Sequence, residues 1–168
     1  MVLFFAVRSP SMKTDVQDLK RPDFYFKNMD LTSFDKGEVI WKLKSDFAVV
    51  DKGTRKTALF AISGGFLEKG LEMVKFKAPR AVLQLETSSL TMSNPRVFLQ
   101  FPNQKADLSV DRLIWDSQHQ QFLGEGHVQL KSSEFKVKGN RLSIEIPLKR
   151  VVISEHGQVE MLLPSDKP

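Results

Sequence analysis

Gly64, Pro95, Gly126 and Gly157 fall 31 residues apart, three times running. Two positions after each comes a large apolar residue: Phe66, Val97, Val128 and Val159. Eighteen positions after the first three come Val82, Leu113 and Ile144. The last two copies read Gly-His-Val-Gln-Leu (126–130) and Gly-Gln-Val-Glu-Met (157–161), with polar and apolar residues in alternation. A turn residue followed by period-two alternation marks the entry to a strand. A fixed period of this size implies one supersecondary unit stacked several times.

The alternation runs through most of the chain. Val39, Trp41, Leu43, Phe47 and Val49 share one parity, and Ala81, Leu83 and Leu85 alternate with Arg80, Gln84 and Glu86. The same pattern places Val97, Leu99 and Phe101, then Leu108 and Val110, then Leu142, Ile144 and Ile146, then Val159, Met161 and Leu163 on apolar faces. Asp-Lys-Gly (35–37 and 51–53), Ser-Asn-Pro (93–95) and Lys-Gly-Asn (138–140) punctuate these runs with turn chemistry. Nothing longer than about ten residues carries a 3.6-residue stripe. The expected fold is all-β. One wet and one apolar face per strand argues for an antiparallel sheet. Its apolar side must meet another, giving an elongated antiparallel β-jelly roll or folded-over sheet around an apolar trough. Parity assigns Trp41, Leu43, Phe47, Leu83, Leu85, Leu99, Phe101, Val110, Val128, Ile144 and Val159 to that trough. The same side chains would form an ordinary core if the trough were packed shut.

The chain divides into residues 1–22, a polar tether, residues 23–163, the β domain, and a short tail over 164–168. Val2 to Val7 is continuously apolar but far short of the ~20 residues a membrane span needs. It reads either as a docked terminal strand or as the remnant of a longer membrane anchor. The 168 residues include no cysteine, which removes disulfides and thiolate metal sites. A net charge of +5 tolerates anionic partners. The densest basic segment, Lys-Phe-Lys-Ala-Pro-Arg (75–80), reads first as the wet side of a strand and second as an anion-facing strip. No nucleic-acid-binding signature occurs, so nucleic acid is not an expected partner.

Reactive constellations are sparse. His119, His127 and His156 lack zinc-like spacing, and neither phosphate-binding nor nucleophile-elbow motifs occur. Asp111 and Asp116 bracket Arg112-Leu113-Ile114-Trp115 as paired carboxylates, but strand-edge solvation accounts for them as well. No metal and no cofactor is expected, and a binder is favoured over an enzyme.

Residues 22–48 (Pro-Asp-Phe-Tyr-Phe through Trp-Lys-Leu-Lys-Ser-Asp-Phe-Ala) resemble the opening of the periplasmic domain of LptC, a lipopolysaccharide-export family. Residues 106–130, which carry Asp-Arg-Leu-Ile-Trp-Asp and then Gly-His-Val-Gln-Leu, are similar to the repeat shared by LptC, LptA and the N-terminal domain of LptD. Phe-Lys-Val-Lys-Gly-Asn-Arg-Leu (135–142) resembles the C-terminal part of that domain. The likeness spans roughly residues 22–163. It implies an OstA-like jelly roll whose interior takes lipopolysaccharide acyl chains. It also implies a periplasmic location at the inner membrane, an LptA-like bridge protein as partner and an inner-membrane ABC transporter as the source of lipid. Docking by terminal strands would involve Gly139, Leu142, Val159 and Met161. A β-sandwich structural or carbohydrate-binding module without lipid transfer is the alternative.

Overall fold

A computed structural model of the chain describes residues 2–9, 24–146 and 150–161. These form β1 (Val2–Ser9), β2 (Phe24–Asp35), β3 (Glu38–Asp51), β4 (Lys56–Glu68), β5 (Leu71–Gln84), β6 (Ser89–Ser93), β7 (Arg96–Phe101), β8 (Gln104–Ser109), β9 (Arg112–Asp116), β10 (Gln121–Ser132), β11 (Phe135–Glu145), β12 (Arg150–Ser154) and β13 (Gln158–Met161). All belong to one antiparallel sheet. The all-β expectation is met. Val2–Ser9 pairs with β2, so the sheet takes in a stretch that the sequence had suggested was tether. The rest of that segment (10–22) and the 164–168 tail lie outside the described residues.

Neighbours in sequence are neighbours in space because tight turns leave no other route. Lys36-Gly37 and Lys69-Gly70 join their strands with both residues at positive φ, the geometry that matches the twist of a two-residue hairpin. β6 and β7 lie end to end along β5, and β8 and β9 lie end to end along β10.

What shapes this sheet is a line of irregularity crossing every long strand. Asn28, Ala61, Asn94 and His127 all have positive φ, and they follow one another at intervals of 33 residues. The register places Asp46, Pro79, Asp111 and Asn140 between them, on the intervening strands. Backbone hydrogen bonds from Asn94 to Asp111 (2.7 Å), from Asp111 to Gly126 (2.9 Å) and from Asn140 to Glu155 (2.9 Å) stitch the line together. At this line the buried side changes phase in the strands that cross it, except β10, where Gly126 and His127 together oppose Asn140 and the buried residues keep one parity. In β3 the buried side runs Trp41, Leu43, Ser45 and then Ala48; in β4, Thr57, Leu59 and then Ile62, Phe66. This line divides the sheet into two halves whose buried faces meet. The structural period is therefore 33 residues, not 31. Pro95, Gly126 and Gly157 sit within one residue of the line, but Gly64 lies three residues past Ala61.

The first half-sheet comprises the C-terminal part of β2, the N-terminal part of β3, the C-terminal part of β4, the N-terminal part of β5, then β7, β8, the C-terminal part of β10, the N-terminal part of β11, and β13. The second comprises the complementary halves with β6, β9 and β12. Phe66 of the first half packs its ring against Trp115 (4.5 Å) and Phe122 (4.4 Å, nearly perpendicular) of the second. Trp41 and Phe76 flank Phe66 on its own side. Gly64 permits this packing, since an added Cβ would meet the carbonyl oxygen of Lys42 and the ring of Phe76.

Candidate functional site

The interior between the half-sheets is the first candidate. Trp41, Leu43, Leu83, Leu99, Val110, Val128 and Ile144 all point into it and are buried. Leu85 and Phe101 pack against the same core from partly buried positions. Two assignments differ from the parity expectation. Phe47 lies beyond the phase change of β3, so it faces outward, with Tyr25 (5.9 Å) and Phe60 (6.0 Å) around it. Val159 faces inward opposite Val137, but it sits on the last described strand and is 69% exposed.

The aromatic cluster packs the middle of the interior shut. Toward the C-terminal strands the half-sheets separate, leaving a cavity of about 310 Å³ between them. Leu99, Phe101, Leu130, Phe135, Val137 and Ile153 are among the residues lining it. Sequence reasoning had found only the first two. Phe135 and Val137 alternate with Lys136 and Lys138 as the other strand residues do.

The interior also holds polar atoms without partners. The indole nitrogens of Trp41 and Trp115 and the hydroxyls of Ser33 and Thr57 are buried, with no hydrogen-bond partner among the described residues. An unpartnered buried polar group costs about 1–3 kcal/mol. Ser45, by contrast, donates to the backbone oxygens of Phe47 and Phe60.

The edges are the second candidate. β1 and β12–β13 close the two ends of the strand order, each pairing on one side only among the described residues. Met161 faces inward opposite Phe135 and is 71% exposed. Gly139 and Leu142 are not at the edge, which corrects the docking expectation for both. Their strand, β11, is covered by β10 on one side and by β12 and β13 on the other. Gly139 is needed for close packing instead, because an added Cβ would come within 2.5 Å of Ile153.

The two aspartates do not converge. Asp111 contacts His127 Nδ1 at 2.7 Å, along the fold line. Asp116 contacts His119 Nδ1 at 2.7 Å, within its own turn. Burial works to raise the Asp116 carboxyl, but hydrogen bonds with His119 and Gln121 outweigh it and leave the group below its usual value. The Asp111 hydrogen bond, and then its charge, raise His127 above its usual value.

Residues 1–160 match the family described as lipopolysaccharide-assembly, LptC-related. The chain belongs to the LptC family. Among solved structures it is similar to LptH of Pseudomonas aeruginosa, the LptA-homologous periplasmic component of a conserved lipopolysaccharide transport device. That likeness has a TM-score of 0.57 at 8% identity and covers 74% of this chain and 94% of LptH. At that identity it speaks for the fold, and the fold is the LptA-like jelly roll. Comparison with curated proteins finds no match. LptC family membership places the chain among periplasmic lipopolysaccharide-transport proteins. No helix of the described residues is long and apolar enough to cross a membrane.

Proposed function

We propose that this chain is a periplasmic lipopolysaccharide-binding bridge at the inner membrane. It accepts lipopolysaccharide from an inner-membrane ABC transporter and passes it to an LptA-like bridge protein through jelly-roll domains joined head to tail. The observation that carries this reading is the apolar interior that opens beside an unpaired edge. The cavity lined by Phe101, Val137 and Ile153 lies next to β13, where Val159 and Met161 face inward yet remain exposed. Acyl chains contribute about 0.8 kcal/mol per buried CH₂, so a continuous greasy path spares the lipid from crossing water. An edge strand of this kind adds a partner's strand by backbone hydrogen bonding.

The closed aromatic centre favours a second reading, a β-sandwich module that takes no lipid. Photo-crosslinking separates the two. A photoreactive residue is placed at inward-facing Phe101 or Leu83, or at outward-facing Gln100 or Gln84, in a Gram-negative host. Lipopolysaccharide adducts at the inward positions, and their absence at the outward ones, are the expected result. Adducts at neither pair in a folded, exported protein would overturn the transport reading.

A further inference from the structure

The outer face of the first half-sheet is concave, and it is basic. A groove of about 1120 Å³ runs across the strands from β2 to β10. Its walls carry six cations, Lys42, Lys44, Lys75, Lys77, Arg96 and Lys131, against three carboxylates, Asp30, Glu72 and Asp107. The register explains the clustering. Lys44 faces Ser63, which faces Lys77, which faces Arg96; in the next row Lys42 faces Gly65, which faces Lys75, which faces Phe98. Strands lie about 4.8 Å apart, so the cations form a ladder across the sheet rather than one point of charge. At the middle of the groove Gly65 has no side chain of its own, and the Glu72 side chain lies over it. Of the six cations, Lys75 alone has a carboxylate partner among the described residues, Glu72 at 3.8 Å. The basic strip over residues 75–80 is one strand's share of this ladder.

We propose that this groove binds a phosphorylated saccharide. Three features select that class. A ladder of cations suits several phosphates spaced along a chain, not a single anion. Phe98 stands on the groove wall between Lys75 and Asp107, offering a ring face to a sugar and a carboxylate to its hydroxyls. Among the described residues only one aromatic lines the groove besides Phe76 of the core, whereas a single-stranded nucleic acid uses a series of stacking platforms. The concave shape also disfavours a flat bilayer as the occupant. This site is distinct from the apolar interior, and it stands whether or not the interior takes acyl chains.

The test is calorimetric titration of the full chain with a deacylated, phosphorylated core oligosaccharide. The controls are the dephosphorylated oligosaccharide, inorganic phosphate and phosphatidylglycerol vesicles. The groove variant Lys44→Glu/Lys77→Glu/Arg96→Glu is compared with Lys27→Glu/Arg80→Glu/Arg112→Glu, which carries the same charge change on the other half-sheet. A neutral variant, Lys44→Gln/Lys77→Gln/Arg96→Gln, serves if charge reversal impairs folding. The expected result is salt-sensitive binding that falls about tenfold or more in the groove variants and stays near wild type in the control. Equal loss in both charge-reversed variants would overturn the proposal. So would equal binding of the dephosphorylated sugar, equal affinity for inorganic phosphate, or binding of the vesicles alone.

Discussion

His127 shows how one residue serves the backbone and carries a charge at once. It holds positive φ at the fold line, and its ring sits 2.7 Å from Asp111 on the neighbouring strand. The hydrogen bond to Asp111 raises its pKa above 6.5. The favourable interaction is therefore complete below that value and fades as pH rises through the higher folded value. The ring is exposed, so the expected signature is a titration shift rather than a large change in stability. An NMR titration should place the His127 midpoint above 6.5 in the wild-type chain and lower it in Asp111→Asn. An unchanged midpoint in that variant would show that the pair does not persist in solution. Phe47 is the complementary lesson at this scale. Its parity with Trp41 and Leu43 was plain in the sequence, and it still faces outward. Parity carries across a strand only while every residue keeps extended geometry, and Asp46 lies on the line where that geometry fails.

At the level of strands, most of the fold was legible. Alternation and turn residues mark the strands, and each half-strand keeps its phase: Leu83 with Ala81, Leu99 with Val97, Ile144 with Leu142. What alternation hides is the transverse line, because most strands cross it with a single residue and β10, with two, keeps its parity. The trace it leaves is a polar residue or proline in mid-strand: Asn28, Asp46, Pro79, Asn94, Asp111 and Asn140. Ala61 departs from that set. It holds φ +50 with no polar side chain to bond locally, in an exposed position. An L-residue in the left-handed region costs about 1–2 kcal/mol, and glycine in a strand loses about 0.5–1 kcal/mol through backbone entropy. Ala61→Gly should therefore stabilise the chain by about 0.5–1 kcal/mol, against the usual sense of such a change in a strand. Urea unfolding should show a higher midpoint at unchanged slope. A lower midpoint would mean that the line does not impose the left-handed conformation on Ala61.

Among the described residues, the meander leaves its two unpaired edges at opposite ends of the sheet, β1 at one and β12–β13 at the other. Unlike edges favour a heterologous, head-to-tail contact, which extends into a chain unless the rotation closes it into a ring. Isolated edges of this kind are an aggregation hazard unless a partner uses them. The sequence pointed to Val159 and Met161 but joined to them Gly139 and Leu142, because a linear motif does not show that β11 is covered on both sides. The structure separates the two pairs, and so do their variants. Val159→Lys/Met161→Lys alters exposed side chains, so unfolding should stay within about 0.5 kcal/mol of wild type. Charge at an edge is also the usual means of blocking strand addition, so co-purification with an LptA-like jelly-roll protein should be lost. Gly139→Arg forces a long side chain into Ile153 and the backbone of Ser154. It should lower the unfolding midpoint and weaken the pairing of β11 with β12, losing the partner only as a consequence. Measured side by side, the edge variant should lose association at full stability, and the Gly139 variant should lose both together. If association survives lysines at both 159 and 161 in a folded chain, the β13 edge is not the docking strand, and β1 at the opposite end becomes the surface to alter next.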